Sequence, residues 1–164
     1  MASAVVVCNF KGDILIYRRY RDDIDRREIQ NFCDNVIATR KAKAPAMLVA
    51  GSSFMHVSHN DCTFICATKV DANAMMLLHF IQQFITVLCS YFENGVVNDA
   101  SLRSNFSLVY ELLDEVCDYG YPQILDPDLL SEFIRTGKKT ETMTDIEKLK
   151  QITVRATGAV SWRP

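Results

Sequence analysis

Residues 105–123 read NFSLVYELLDEVCDYGYPQ. Apolar residues recur there at the i, i+3, i+4, i+7 spacing of one helical stripe, namely Val109, Leu112, Leu113 and Val116. Four carboxylates form a second stripe, rotated by about 100° from the first; they are Glu111, Asp114, Glu115 and Asp118. This pattern predicts an amphipathic helix that buries one face and exposes the acidic one to solvent.

The ends of this helix are predicted from its flanking residues. It starts near Asp99 or Ser101, and Gly120 stands where a C-cap glycine belongs, with Pro122 preventing continuation. A shorter helix is predicted over 126–137, with proline just inside its start and glycine after its end.

The N-terminal half of the chain has strand composition interrupted by one helix. Apolar, β-branched runs bounded by turn residues predict five strands, at 3–10, 14–20, 47–51, 52–59 and 62–70. Helical spacing predicts a helix over 27–41 between the second and third strands. Turns are expected at residues 11–13, at Gly51 and at Asn60-Asp61.

The most apolar stretch is residues 74–92, which follow candidate caps at Asp71 and Asn73. His79, Gln82 and Gln83 interrupt it, whereas a membrane span needs about 20 nearly unbroken apolar residues. We therefore predict a buried helix of a soluble domain. Its wide apolar face predicts cover on two sides, by its own sheet and by something else.

This order of elements predicts an α+β fold, an antiparallel sheet sandwiched by helices. We expect one domain over 1–137 and a linker over 138–164, because large apolar residues become rare after Lys138, with a short helix at 144–150. The only tryptophan, Trp162, lies at the very end, where we expect a further domain to begin.

Composition narrows the class of protein. A chain of 164 residues, 49% hydrophobic and 23% charged, is typical of a globular protein, and a net charge of −2 predicts no nucleic-acid partner. The six cysteines include no CxxC pair and sit mostly in apolar runs, which indicates reduced thiols in the cytosol.

Two clusters carry residue types found in metal or catalytic sites. The acidic stripe lacks obvious partner ligands, so a solvated helix face is the favoured interpretation. In HVSHNDC, residues 56–62, His56 and His59 point to opposite faces of a strand, so one metal ion cannot readily take both. No nucleophile motif or phosphate-binding loop occurs. We therefore predict no catalytic, cofactor or metal site, and no enzymatic activity.

Three stretches together resemble a known family. NFSLVYELLDEVCDYGYPQ closely resembles the signature helix of the medium (mu) subunits of clathrin adaptor complexes. KGDILIYRRYRDDI (11–24) resembles their N-terminal hairpin, and ATGAVSWRP (156–164) resembles their junction with the C-terminal cargo-binding domain. The resemblance covers nearly all of 4–136 and resumes at 151–164.

The resemblance implies a longin (SNARE-like) fold, a five-stranded antiparallel sheet between helices. It also implies a non-enzymatic assembly role in vesicle-mediated transport and endocytosis. The domain would dock on the helical-repeat trunk of the adaptor's beta large subunit, in a heterotetramer with the other large and small subunits. Clathrin and membrane would be contacted indirectly, and cargo only through the C-terminal domain.

The resemblance points to two adaptors. YRDDI (20–24) resembles the plasma-membrane adaptor, whereas AVSWR (159–163) resembles the trans-Golgi and endosomal one. We expect location on the cytoplasmic face of membranes, in clathrin-coated pits and vesicles, with the plasma membrane favoured. The family pattern implies phosphorylation at Thr157, although Arg155 replaces the glutamine that the adaptor-associated kinase prefers.

Two other function classes stay open at this point. A regulatory longin module would bind a small GTPase or a SNARE helix through the apolar helix 74–92. A metal-dependent hydrolase would use the acidic stripe or HVSHNDC, and metal analysis would detect it.

Overall fold

The computed structural model describes residues 1–42 and 44–134. Five antiparallel strands form one sheet in the order β2-β1-β5-β4-β3. They are β1 (Ala4–Asn9), β2 (Ile14–Arg19), β3 (Ala46–Val49), β4 (Ser52–His59) and β5 (Cys62–Thr68). All five predicted strands are confirmed, most of them slightly shorter than predicted.

Helices lie on both faces of the sheet, so the predicted α+β sandwich is confirmed. They are α1 (Arg26–Phe32), α2 (Ala74–Tyr91), α3 (Asp99–Ser104), α4 (Phe106–Val116) and α5 (Pro127–Phe133). The first helix covers one face, and residues of the other four pack over the opposite face.

The centre of the sheet is buried on both sides. Every residue of β1 and of β5 is buried. Because side chains alternate along a strand, Val5 and Val7 enter the core under α2, while Val6 and Cys8 enter the core under α1. The two cores therefore share the strands that separate them.

Helix α1 ends earlier than the predicted helix over 27–41. Asp25 caps its start by accepting from the Arg27 N–H, as predicted, but a π-helical turn over Cys33–Ile37 follows. This turn keeps Val36 and Ile37 in the core, and Phe32 stacks on Phe54 with ring centroids 4.2 Å apart.

The second cover of α2 comes from its own domain. Seven of its side chains are buried, and residues of α4 and α5 belong to the same core. Among the described residues, α2 is the one helix that is long and apolar enough to cross a membrane by length and composition. Its outward residues are nevertheless mostly polar, namely Met75, His79, Gln82, Thr86 and Ser90. A core helix therefore fits this burial pattern.

The predicted helix from about residue 99 to Gly120 is wrong at two points. Asn98 and Ser101 form a capping box that starts α3, but the chain breaks at Asn105 before α4 begins. Helix α4 then ends at Val116, and the next residues form a small hairpin, with β6 (Cys117–Asp118) pairing with β7 (Tyr121–Pro122). Asp118 is therefore not on the helix, and Gly120 turns a hairpin instead of capping a helix.

Gly120 also fastens the N-terminus to this hairpin. The Ala2 N–H donates to the Gly120 carbonyl at 2.8 Å, and Gly120 has φ of +85°. A Cβ at position 120 would overlap the carbonyl oxygen of Ala2. Only glycine therefore fits there, for both steric and conformational reasons.

We predict that Gly120→Ala destabilises the domain far more than Gly51→Ala does. Gly51 has a similar φ of +82°, but a Cβ there has open space around it. Gly51→Ala should therefore lower the free energy of unfolding by about 1 kcal/mol through backbone strain alone. Gly120→Ala should cost about 2 kcal/mol more, because the N-terminal segment must move.

Denaturant unfolding of the two variants beside wild type measures this difference. Equal losses in the two variants would show that the contact between Ala2 and Gly120 contributes little.

Candidate docking surfaces

The acidic side chains beside α4 are solvated. Asp114 pairs with Arg18 of β2 at 2.6 Å, and both side chains are about half exposed. Glu111, Glu115 and Asp118 are exposed. A pair with this exposure contributes at most about 1 kcal/mol, and the group has the character of a helix surface.

Two tyrosines, which sequence reasoning missed, tie α4 to the outer strand β2. The Tyr110 hydroxyl accepts from the Tyr17 N–H at 3.2 Å and lies 3.3 Å from the Tyr17 carbonyl oxygen. The Tyr20 hydroxyl donates to the Leu113 carbonyl at 3.0 Å. The backbone of Tyr17 at the edge of β2 thereby gains a partner, and α4 covers that edge.

The residues of HVSHNDC serve structural roles. His56 is 8% exposed and packs edge-on against Phe32, with ring centroids 5.9 Å apart. The Asp61 carboxylate accepts from the Asp99 N–H at 3.1 Å and so anchors the start of α3. In the ranges 1–42 and 44–134, no group of three or more His, Cys, Asp or Glu residues could hold a metal ion.

The six cysteines are free thiols, and five of them are buried. Burial raises the pKa of the Cys62 thiol to about 12, and it raises the pKa of the Cys117 thiol to about 11. Such thiols stay protonated at neutral pH and behave as small apolar side chains. Neither of these two thiols has the environment of a nucleophile.

Six of the nine exposed large apolar side chains of the described residues lie in two places. The first, which we call the β3-edge groove, is a concave space of about 220 Å³ on the α2 side of β3. Its lining includes Ala46, Leu48, Val70 and Asp71, and the exposed Met75 lies beside it at the start of α2.

The second place is the β6–β7 hairpin with its two exposed tyrosines, here called the aromatic hairpin (residues 117–124). Tyr119 is 75% exposed and Tyr121 is 49% exposed, and Ile124 follows them. Tyr119 adopts φ of +47°, an uncommon conformation for a tyrosine.

Two backbone hydrogen bonds hold the aromatic hairpin in place. The Gln123 N–H donates to the Val116 carbonyl at 2.8 Å, which closes the hairpin onto the end of α4. Together with the bond between Ala2 and Gly120, this fixes the backbone that carries both tyrosines. Exposed tyrosines on a fixed backbone are typical of protein-binding surfaces. Sequence reasoning missed this surface because it assigned the residues before Gly120 to a helix and gave Pro122 only the role of preventing its continuation.

Thr157, the residue predicted to be phosphorylated, lies outside the described residues, as does the linker 138–164.

Comparison with known families gives a match over most of the chain. Residues 1–134 match the model of the clathrin adaptor complex small chain. The AP-2 complex subunit mu of Dictyostelium discoideum is 37% identical over 166 residues, which cover 99% of this chain and 37% of that protein. The AP-1 complex subunit mu-1 of Schizosaccharomyces pombe is 34% identical over 166 residues, with the same coverage. The resemblance to mu subunits is thereby confirmed, and the chain spans 37% of the length of these two relatives.

The fold also matches that of a single chain in another structure. A chain of a structure described as a "Homology model of the full-length AP-3 complex in a stretched open conformation" superposes with a TM-score of 0.62. The match covers 96% of this chain and 98% of that chain, at 12% sequence identity. At this identity the likeness shows the fold alone, and it confirms the longin-type architecture.

We predict that His56 makes the stability of the domain sensitive to acid. Burial lowers the pKa of the His56 imidazole below its ordinary value of 6.5. The unfolded chain therefore takes up a proton at a pH where the folded chain does not. The free energy of unfolding should fall as the pH drops through the ordinary imidazole range, by at most about 1.4 kcal/mol per pH unit.

Urea unfolding at neutral and mildly acidic pH measures this slope. His56→Gln should flatten it, whereas His79→Gln, on the exposed face of α2, should leave it unchanged. If both variants keep the wild-type slope, another group causes the acid sensitivity.

Proposed function

This chain belongs to the family of clathrin adaptor complex small chains, and we propose that it is the N-terminal assembly domain of a medium (mu) subunit. Its role is to dock on the trunk of the adaptor's beta large subunit and so to build the core of the complex. The similarity to mu subunits of two adaptors supports this proposal.

The observation that carries the docking proposal is the aromatic hairpin. Tyrosine supplies a large apolar contact area at low cost in conformational entropy, and it is enriched among the residues that dominate binding energies. Tyr119 and Tyr121 are exposed on a backbone that is already fixed, so few degrees of freedom are lost on binding. The neighbouring carboxylates favour a trunk surface with basic side chains.

The outer face of α2 is a poorer candidate for this contact. Its outward residues are mostly polar, since Met75 alone among them is a large apolar residue. The wide apolar face of α2 that the sequence predicted packs on the sheet and in the core that includes residues of α4 and α5. We therefore infer that α2 contributes to docking mainly by supporting the fold.

The wider setting follows from the same proposal. The domain, residues 1–137, joins the other large and small subunits in a heterotetramer, and the linker 138–164 leads to a cargo-binding domain. The complex works in vesicle-mediated transport and endocytosis on the cytoplasmic face of membranes. We favour coated pits of the plasma membrane over the trans-Golgi network. Phosphorylation at Thr157 stays a prediction.

Co-expression with the trunk of a beta subunit, followed by size-exclusion chromatography, tests the docking. We predict co-elution as a 1:1 complex. The double variant Tyr119→Asn/Tyr121→Ser should weaken the complex by about 2 kcal/mol, roughly thirtyfold in Kd. Asparagine is chosen at 119 because it tolerates the positive φ there.

Phe106→Ser is the matched control, since Phe106 is an exposed aromatic residue at the start of α4. It should leave the affinity unchanged. Separate elution of the wild-type chain and the trunk would contradict the assembly role, and a pull-down with nucleotide-loaded GTPases would then test the regulatory alternative. An intact complex with equal affinity in the double variant would contradict the aromatic hairpin as the contact.

A further inference from the structure

The two edge strands of the sheet differ in whether another element covers their free backbone groups. The edge of β2 is covered by α4, whose Tyr110 hydroxyl binds the backbone of Tyr17. The edge of β3 has no such cover among the described residues. Proteins normally blunt an open edge with charges or cover it, because it can pair with any extended chain. Leu48, in the middle of the edge, is instead 73% exposed.

The register identifies which backbone groups are free at this edge. The His56 N–H donates to the Pro45 carbonyl at 2.8 Å, so position 45 is a hydrogen-bonded position of the β3–β4 ladder. Hydrogen-bonded and non-hydrogen-bonded positions alternate along an antiparallel pair. The N–H and carbonyl groups of Ala46 and Leu48 therefore point away from β4, toward an empty strand position.

The side chains beside this empty position form an apolar floor. Ala46 and Leu48 stand opposite Met55 and Ser53, and Met55 belongs to the core under α2. Their side chains therefore lie on the α2 side of the sheet, where they line the β3-edge groove. An added strand would place alternate side chains over this groove.

We propose that residues 151–155 of the chain's own linker, QITVR, dock as a sixth strand against β3. Ile152 and Val154 are two residues apart, the same spacing as Ala46 and Leu48. In an antiparallel register, Ile152 lies opposite Leu48 and Val154 lies opposite Ala46. Both apolar side chains then cover the groove, and Thr153 faces the other side of the sheet.

Charge complements the apolar match. Lys150 is two residues before Ile152, so in this register its side chain faces the groove, whose lining includes the Asp71 carboxylate. Arg155, like Thr153, faces the other side of the sheet, so Lys150 is the basic side chain that reaches the acidic group. The interaction adds orientation more than affinity, because Asp71 is exposed.

The length of the linker allows this docking. The Tyr91 hydroxyl, at the end of α2, donates to the Ile134 carbonyl at 3.3 Å, so the linker leaves the domain near that end. The groove lies at the other end of α2, whose 18 residues span about 27 Å. Residues 135–150 reach about 50 Å when extended, which exceeds that distance.

Hydrogen exchange of the Ala46 and Leu48 amides in the whole chain tests the proposal. We predict that both amides exchange about tenfold or more slowly in wild type than in Ile152→Asp/Val154→Asp, because docking covers them most of the time. The matched control Met143→Asp/Ile146→Asp changes two apolar linker residues outside the segment and should keep the wild-type rates. On the domain side, Leu48→Asp should speed exchange of the Ala46 amide.

Two results would overturn the proposal. Equal exchange rates in wild type and in Ile152→Asp/Val154→Asp would show that the segment does not cover the edge. Protection that grows with protein concentration would show that a second copy occupies it. The experiment uses this chain alone, so its outcome is separate from that of docking on a beta-subunit trunk.

Discussion

The structure depends on the burial of β1 and β5 between two layers of helices. Each apolar residue of these strands belongs to one of two cores, so removing either helical layer would expose apolar side chains of the same strands. Helix α2 is apolar over much of its surface because it packs on the sheet and shares a core with α4 and α5. The groups that remain free for binding therefore lie at the periphery of the domain, in the hairpin after α4 and at the edges of the sheet.

The periphery is not uniform. One edge of the sheet is covered by a helix and by a tyrosine hydroxyl, whereas the other ends in an exposed leucine beside an apolar groove. A hairpin fastened to the N-terminus presents two tyrosines in a fixed arrangement. In the two proposals above, the aromatic hairpin makes the contact with another subunit, and the open edge binds a short extended segment of the chain's own linker.

The sequence predicted much of the fold, because local signals agree with the tertiary structure in most elements. Apolar, β-branched runs bounded by turn residues predicted the strands, and Asp25 and Asn73 cap helices as expected. Its failures have physical causes. The break at Asn105 leaves the apolar stripe intact, so periodicity could not reveal it. Gly120 fits a helix C-cap and a hairpin turn equally well, and its contact with Ala2 is a long-range one. For the same reason the contact that fixes the aromatic hairpin could not be predicted, and the sequence could not show that α4 and α5 share a core with α2.

We propose that the aromatic hairpin, rather than the outer face of α2, makes the contact with the beta-subunit trunk. Hydroxyl-radical footprinting of the chain, free and bound to the trunk, tests it directly because it reports the solvent exposure of individual side chains. We predict that Tyr119 and Tyr121 lose reactivity on binding, while His79 and Phe106 keep theirs. Protection of His79 with unchanged tyrosines would contradict it.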